Sequence, residues 1–180
     1  MPSLSPNRIR REFRRGDLAL NAHGRGQALE DLTKYLFRRI PGVRFSDKDV
    51  ITAMGSEEID LVFWNDGING GLSFLPNVLI FECKNWHEPV NSAAVSFFIQ
   101  KVTSRHLEYG FLIAANGITG NAQDVTAAHA QIETAFLQNK IRTIVLTRRE
   151  IENLTSTEAL VHLIQDKILC LTLRRPQFTN

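Results

Sequence analysis

Two short apolar segments decide the fold: IDLVFW at Ile59–Trp64 and VLIFECK at Val78–Lys84. Both are rich in branched and aromatic residues and are bounded by turn-forming residues, which is typical of β-strands. Residues 66–77 between them contain three glycines and a proline, so we expect a long connection there. Each strand also carries charged side chains, and these are the first candidates for chemistry.

The rest of the chain is predicted to alternate between helices and strands. Apolar residues at steps of three and four predict a first helix from Gly26 to Ile40, which Pro41-Gly42 ends. A strand at 43–53 follows, so the front of the sheet has consecutive strands and is expected to be antiparallel. Further elements are predicted at Asn91–Arg105 (helix), Tyr109–Ala115 (strand), Asn121–Asn139 (helix, with Asn121 as its cap), Ile141–Leu146 (strand), Arg149–Leu154 (helix) and Thr157–Leu169 (helix). This pattern predicts an α/β domain with a mixed sheet flanked by helices.

The composition limits the class of protein. The chain has 180 residues, of which 43% are hydrophobic and 22% charged, as in ordinary globular domains. It contains no apolar run of about 20 residues, which a membrane-spanning helix needs, and no secretory signal pattern. The two cysteines have no metal-ligand spacing. We therefore expect a cytoplasmic protein with a single α/β domain at residues 17–180.

A basic arm is predicted at residues 1–16, ahead of that domain and poorly ordered at its start. Its charge comes from five arginines against one acid, and the whole chain has fifteen arginines to six lysines. Arginine favours bidentate contacts with phosphate, so a nucleic-acid partner is one interpretation. A solvated basic tail is the other. The five arginines are Arg8, Arg10, Arg11, Arg14 and Arg15.

Two carboxylates and an ammonium are expected to meet at one edge of the sheet. Strand side chains alternate between faces, so Glu82 and Lys84 point the same way and Cys83 points into the core. If the two apolar strands pair, Asp60 lies beside Glu82. A divalent cation removes the repulsion between two such carboxylates, and oxygen ligands suit Mg²⁺. The alternative is a structural charge cluster in which Lys84 neutralises Glu82.

This ordered set resembles the PD-(D/E)XK nuclease motif, with Ile59 in place of its proline. The early acidic helix, the strand pair and the later stretch Gly110–Ala114 are similar in order to the Mrr-like restriction endonuclease branch, over residues 24–155. The resemblance implies a restriction-endonuclease-like fold, a three-layer α/β/α sandwich. It also implies a metal-dependent nuclease, an endonuclease of restriction or repair type that hydrolyses phosphodiester bonds in DNA.

The resemblance also assigns roles to residues. Asp60 and Glu82 correspond to metal ligands, with the Cys83 backbone carbonyl as a third, and the metal expected is Mg²⁺, with Mn²⁺ as a substitute. Lys84 corresponds to the residue that orients or helps to deprotonate the attacking water. Glu30 on the first helix matches an acid that faces the same site in related nucleases, although a surface charge is the alternative.

Contacts with DNA outside this set are predicted more loosely. The candidates in the arm are Arg10, Arg11, Arg14 and Arg15, and the candidates on the helix after the motif strand are Gln100 and Lys101. Related nucleases often place a polar residue on this helix near the metal site, and a solvated helix face is equally compatible with the sequence. His87 and Trp86, just beyond Lys84, could also touch DNA, but an aromatic residue at a strand end is more often a packing residue.

Two other functions stay open. One is a catalytically weak DNA-binding module of the same fold, and the other is a structure-selective junction resolvase. Specificity would then come from the arm, the 66–76 loop, another chain or a second copy in a homodimer.

Overall fold

A five-stranded mixed sheet forms the centre of the fold, and its strands lie side by side in chain order. The computed structural model describes residues 2–51, 58–121, 126–173 and 177. The first strand is antiparallel to the second and the second to the third, whereas the third, fourth and fifth strands are parallel to one another. The strands are β1 (Val43–Ile51), β2 (Glu58–Asn65), β3 (Val78–Lys84), β4 (Tyr109–Ala114) and β5 (Arg142–Thr147). The predicted mixed sheet with an antiparallel front is confirmed.

Helices flank this sheet, as the α/β prediction requires. The helices are α1 (Pro6–Asp17), α2 (Ala22–Phe37), α3 (Ser92–Ser104), α4 (Ala128–Asn139), α5 (Arg148–Glu152) and α6 (Thr157–Thr172). None of the helices in the described ranges is both long and apolar enough to cross a membrane.

The two faces of the sheet are covered by different helices. On one face, Phe37 of α2 packs with its ring 4.5 Å from Phe81 of β3 and 5.6 Å from Phe111 of β4. On the other face, a Cβ on Gly110 of β4 would lie 2.5 Å from Val102 of α3, so the helix sits directly on the strand there. Because Gly110 pairs with Ile80, the alternation of β3 directs residues 80, 82 and 84 toward α3.

The basic segment at the N-terminus is folded rather than extended. Residues 6–17 form α1, which begins at Pro6 and is capped by Ser5, whose side chain accepts a hydrogen bond from the Arg8 backbone. Ile9 and Phe13 lie one helical turn apart and are buried, and α1 packs against α2. The apolar pair within the arginine-rich sequence explains why this segment docks on the domain.

Two other boundaries differ from the sequence prediction. The first long helix begins at Ala22 and ends at Phe37, earlier than predicted at both ends. The helix expected to be capped by Asn121 begins at Ala128. Asn121 instead closes a turn, in which its backbone N–H donates to the hydroxyl of Thr126. Residues 52–53 of the predicted strand and residues 122–125 of the predicted helix lie outside the described residues.

Candidate active site

The pairing of β2 with β3 brings two carboxylates together. Leu61 lies opposite Phe81 in the antiparallel register, so the next residues outward, Asp60 and Glu82, approach each other on the face that α3 covers. Asp60 Oδ2 accepts a hydrogen bond of 2.6 Å from the backbone N–H of Cys83. This bond fixes the Asp60 carboxylate against the end of β3.

The surroundings of Asp60 destabilise the ionised form of its carboxylate. Burial and then the neighbouring charge of Glu82 raise the pKa of Asp60 from 3.8 to about 7, although the Cys83 hydrogen bond and the two lysines Lys84 and Lys101 oppose the shift. Within the described part of the chain, no cationic side chain lies at ion-pair distance from Asp60. An additional positive charge beside Asp60 would therefore be stabilising.

Glu82 is buried between two ammonium groups. The Nζ atom of Lys84 lies 2.7 Å from Glu82 Oε1, and the Nζ atom of Lys101 lies 2.7 Å from Glu82 Oε2. Burial acts to lower the pKa of Lys84, but the charge and hydrogen bond of Glu82 outweigh it and raise the pKa. Lys84 is thus a cation at neutral pH in this arrangement, suited to orienting an oxygen or neutralising negative charge.

These groups line a cavity of about 300 Å³ between the sheet and α3. The sheet contributes the charged groups from the ends of β2 and β3. The helix contributes one face, in which Ala94 leaves room because its side chain is small. The lining residues are Glu58, Asp60, Glu82, Lys84, Trp86, Ala94, Phe97 and Lys101.

Of the two polar residues expected on the helix after the motif strand, Lys101 lines the cavity. It is only 4% exposed, and Ala94, Phe97 and Lys101 share one face of α3 at steps of three and four. A lysine that joins such a face next to the buried stripe Val95, Phe98 and Val102 is the signal that sequence reasoning could have used. Gln100, its predicted companion, is exposed.

The structure does not bring Glu30 to this cavity. Its carboxylate lies 2.8 Å from Nζ of Lys48 on β1, and Lys48 lies opposite Leu61, one residue out of phase with Asp60. Because side chains alternate along a strand, Glu30 approaches the sheet from the α2 side and the two catalytic candidates face α3.

The thiol of Cys83 points away from the cavity, as the alternation predicts. Its Sγ lies 3.7 Å from the hydroxyl of Thr33 on α2. Burial above all raises the pKa of the Cys83 thiol well above its usual value. The only group of Cys83 that could bind a metal in the cavity is therefore its backbone carbonyl.

Four of the five arginines of α1 fall into two groups. Arg15 is tied to the domain, with ion pairs of 2.9 Å to Glu12 and 2.7 Å to Asp31. Arg10, Arg11 and Arg14 also lie on exposed positions of the helix, and of these Arg11 makes an ion pair of 3.3 Å with Glu12.

A groove of about 580 Å³ lies beside α1 and the end of α2. Two guanidinium groups flank the ring of Tyr35 there, Arg8 at 4.0 Å and Arg39 at 4.8 Å from the ring centre. No carboxylate among the described residues lies within ion-pair distance of Arg8, Arg38 or Arg39. This groove and the exposed face of α1 are therefore two positively charged surfaces near the N-terminus of the described structure.

Comparison with known families agrees with this geometry. Residues 23–141 match the model of a restriction endonuclease family, Mrr_cat. The chain belongs to this family. No curated protein matches the chain. The matched range of this Mrr-like chain includes nearly all of α2, all of β2 and β3, and α3, so it contains every element that lines the cavity. The family is that of a restriction-endonuclease-type nuclease, for which the substrate is DNA.

The donor set of this Mrr-like site fits a hard divalent cation in part. No cluster of three or more His, Cys, Asp and Glu side chains arranged to hold a metal is present among the described residues. Asp60 and Glu82 nevertheless supply two adjacent carboxylates, and Mg²⁺ is commonly held by one or two carboxylates, with waters and substrate phosphates completing its shell. The raised pKa of Asp60 is the electrostatic condition that such a cation would relieve.

Proposed function

We propose that the protein is a metal-dependent endonuclease that hydrolyses phosphodiester bonds in DNA, with Asp60, Glu82 and Lys84 as its catalytic set. The observation that carries the proposal is the convergence of these three side chains in one cavity. Membership of a restriction endonuclease family supports the same chemistry.

The residues of the proposed catalytic set would have different roles. Asp60 and Glu82 would hold Mg²⁺ or Mn²⁺, with the carbonyl of Cys83 as a further oxygen donor. A bound divalent ion lowers the pKa of water and neutralises charge on a phosphoryl group. Lys84 is a cation whose pKa is raised, which supports a role in orienting the water or neutralising the phosphate rather than one as a base.

Lys101 would act through Glu82. Its ammonium binds Oε2 while Lys84 binds Oε1, so the two lysines together set the plane of the carboxylate. Glu30, which ion-pairs with Lys48, would stabilise the fold on the α2 side of the sheet in this scheme.

Phosphate contacts outside the cavity would come from exposed arginines. Arg10, Arg11 and Arg14 on α1 carry positive charge into solvent, and such contacts supply most of the sequence-independent affinity for DNA. Arg15 would hold α1 on α2 through Glu12 and Asp31.

A catalytically weak DNA-binding module is the second candidate. One observation favours it: both oxygens of Glu82 already bind ammonium groups, so a metal would have to share this carboxylate with two lysines. The two candidates differ in whether any DNA is cut.

A cleavage assay tests the proposal. Supercoiled, linear, single-stranded and branched DNA are incubated with the protein in Mg²⁺ or Mn²⁺ and, separately, in a chelator. We expect internal cleavage that requires the metal and disappears in Asp60→Asn. Metal-independent cleavage, or cleavage that persists in that variant, would contradict the proposed mechanism. DNA binding without any cleavage would favour the second candidate.

A further inference from the structure

Two large aromatic side chains stand at the cavity that holds the proposed catalytic set. Trp86 is 41% exposed and Phe97 is 47% exposed, and both line the cavity. The core beneath α3 is filled by its other stripe, Val95, Phe98 and Val102, all of which are buried. Phe97 is therefore not part of the core, and together with Trp86 it forms an exposed aromatic surface at the cavity, the kind of grouped apolar surface that marks binding sites.

Each ring lies near a lysine that binds the carboxylate of Glu82. The Nζ atom of Lys84 lies 5.5 Å from the ring centre of Trp86, and the Nζ atom of Lys101 lies 5.1 Å from the ring centre of Phe97. Each ammonium also binds Glu82. The rings consequently stand beside the groups to which we assign the handling of the phosphate, rather than elsewhere on the surface.

The backbone that carries each ring is held by the fold. Phe97 lies in the middle of α3. Trp86 follows β3 in a segment whose backbone is anchored, because the side-chain amide of Asn116 donates to the carbonyls of Trp86 and His87. In the described part of the chain neither ring stacks on another aromatic ring. Each ring has a lysine ammonium over one face, and the rest of its exposed surface is available to a ligand.

The size of the cavity selects among DNA conformations. A volume of about 300 Å³ is at the lower end of the range for small-ligand pockets, roughly 300–1,000 Å³, and it suits one nucleotide rather than a base pair. In an intact duplex the faces of each base are covered by the neighbouring bases. Only an unstacked base presents a face to Trp86 or Phe97, and stacking on exposed aromatics next to cationic groups is the usual mode of binding to single strands.

We propose that the cavity takes a nucleotide whose base is unstacked, and that Trp86 and Phe97 bind this base by stacking while the cationic and carboxylate groups engage its phosphate. The substrate class is DNA with unpaired nucleotides, such as a bubble, a flap or a single strand. This inference rests on the proposed function for the identity of the polymer, but its binding step does not depend on cleavage.

Binding is tested with Trp86 as its own reporter. The chain has two tryptophans, and Trp64→Phe removes the other one, which lies on β2 and does not line the cavity. In this background, with Ca²⁺ as the divalent ion, DNA containing a bubble should quench the emission of Trp86 at lower concentrations than the fully paired duplex of the same length. Equal quenching by the two DNAs would overturn the inference.

Variants of the two rings give the second measurement, by anisotropy with labelled DNA. Trp86→Ala and Phe97→Ala should each weaken binding to the bubble by about 5- to 150-fold, with a small effect on the duplex. Trp86→Phe keeps a ring and should lose less. Leu137→Ala removes a side chain that is 54% exposed on α4, outside the cavity, and should change neither affinity. Equal losses for bubble and duplex would contradict stacking.

Cleavage separates this inference from the proposed function. If the protein cuts paired and unpaired DNA equally and the Trp86→Ala and Phe97→Ala variants cut at the parental rate, the nuclease assignment stands and the stacking inference fails. If no DNA is cut in any divalent metal but bubble-selective binding is lost in the two variants, stacking stands and the nuclease assignment fails. Thermal melting of each variant verifies that it is folded.

Discussion

Replacing Asp60 with asparagine should stabilise the metal-free protein. Burial and the charge of Glu82 raise the pKa of Asp60 from 3.8 to about 7, so ionised Asp60 is unfavourable in the folded state. The asparagine side chain is neutral, and its oxygen can still accept the hydrogen bond that the Cys83 backbone donates to Asp60 Oδ2. The change therefore removes the unfavourable charge with little alteration of shape.

The magnitude follows from the pKa difference. At about 1.4 kcal/mol per pH unit, the shift corresponds to about 4 kcal/mol, and solvent screening of this half-buried side chain reduces the expected gain to about 2–4 kcal/mol at pH 8. For a chain of this size that is a rise in melting temperature of roughly 5–15 °C.

The dependence of stability on pH tests independently whether the charge of Asp60 is destabilising. Between pH 4 and 7 the unfolded chain releases the proton of Asp60 while the folded chain retains it, so the stability of the parent falls as the pH rises and levels off above about 7. Asp60→Asn should lack this contribution, and its advantage should shrink toward pH 4. The assay is thermal or urea unfolding from pH 4 to 8 in a chelator, with Asp166→Asn on the exposed face of α6 as the control. A variant that is no more stable than the parent at pH 8 would refute this electrostatic explanation.

Other residues give three further predictions. Millimolar Mn²⁺ should raise the melting temperature of the parent and should not raise that of Asp60→Asn. At a metal concentration a hundred times the dissociation constant, the free energy of unfolding of the parent rises by about 2.7 kcal/mol. A melting curve that is unchanged in the parent would favour a structural charge cluster. Cys83→Ala should reduce stability by about 1 kcal/mol or more because packing in the core is weakened and leave cleavage largely intact, whereas loss of activity in the folded variant would place the thiol in the site. Replacing Arg10, Arg11 and Arg14 with glutamine should flatten the dependence of DNA affinity on salt by about 0.9 in logarithmic slope for each phosphate that is no longer bound; an unchanged slope measured by anisotropy would mean that α1 does not touch DNA.

The sheet and the position of the acids could be predicted because they depend on local patterns. Alternation along VLIFECK separates Glu82 from Cys83, and two apolar strands joined by a glycine-rich connection are expected to pair. The family resemblance implied the order of the elements, which the structure shows, and the match over residues 23–141 confirms the family.

Features that depend on contacts between distant residues were harder to predict. The ring of Tyr35 and the pair Ile9 and Phe13 hold α1 on the domain, although the arginines around them suggested an arm. Glu30 pairs with Lys48, and only the register of β1 on β2 reveals that this pair lies on the α2 side. The ion pair of Lys101 with Glu82 likewise spans separate elements, because it depends on the rotation of α3 over β3.

Single-turnover cleavage rates show whether Asp60 and Lys84 act as one unit. The rates are measured in Mg²⁺ for Asp60→Asn, Lys84→Met and the double variant, with Asp166→Asn as a folded control. We expect each single variant to lose most of the activity and the double variant to be little worse than either, since each change disables the same hydrolytic step. Either single variant cutting DNA at the parental rate, or losses that multiply in the double variant, would contradict the assignment of these residues to one catalytic set.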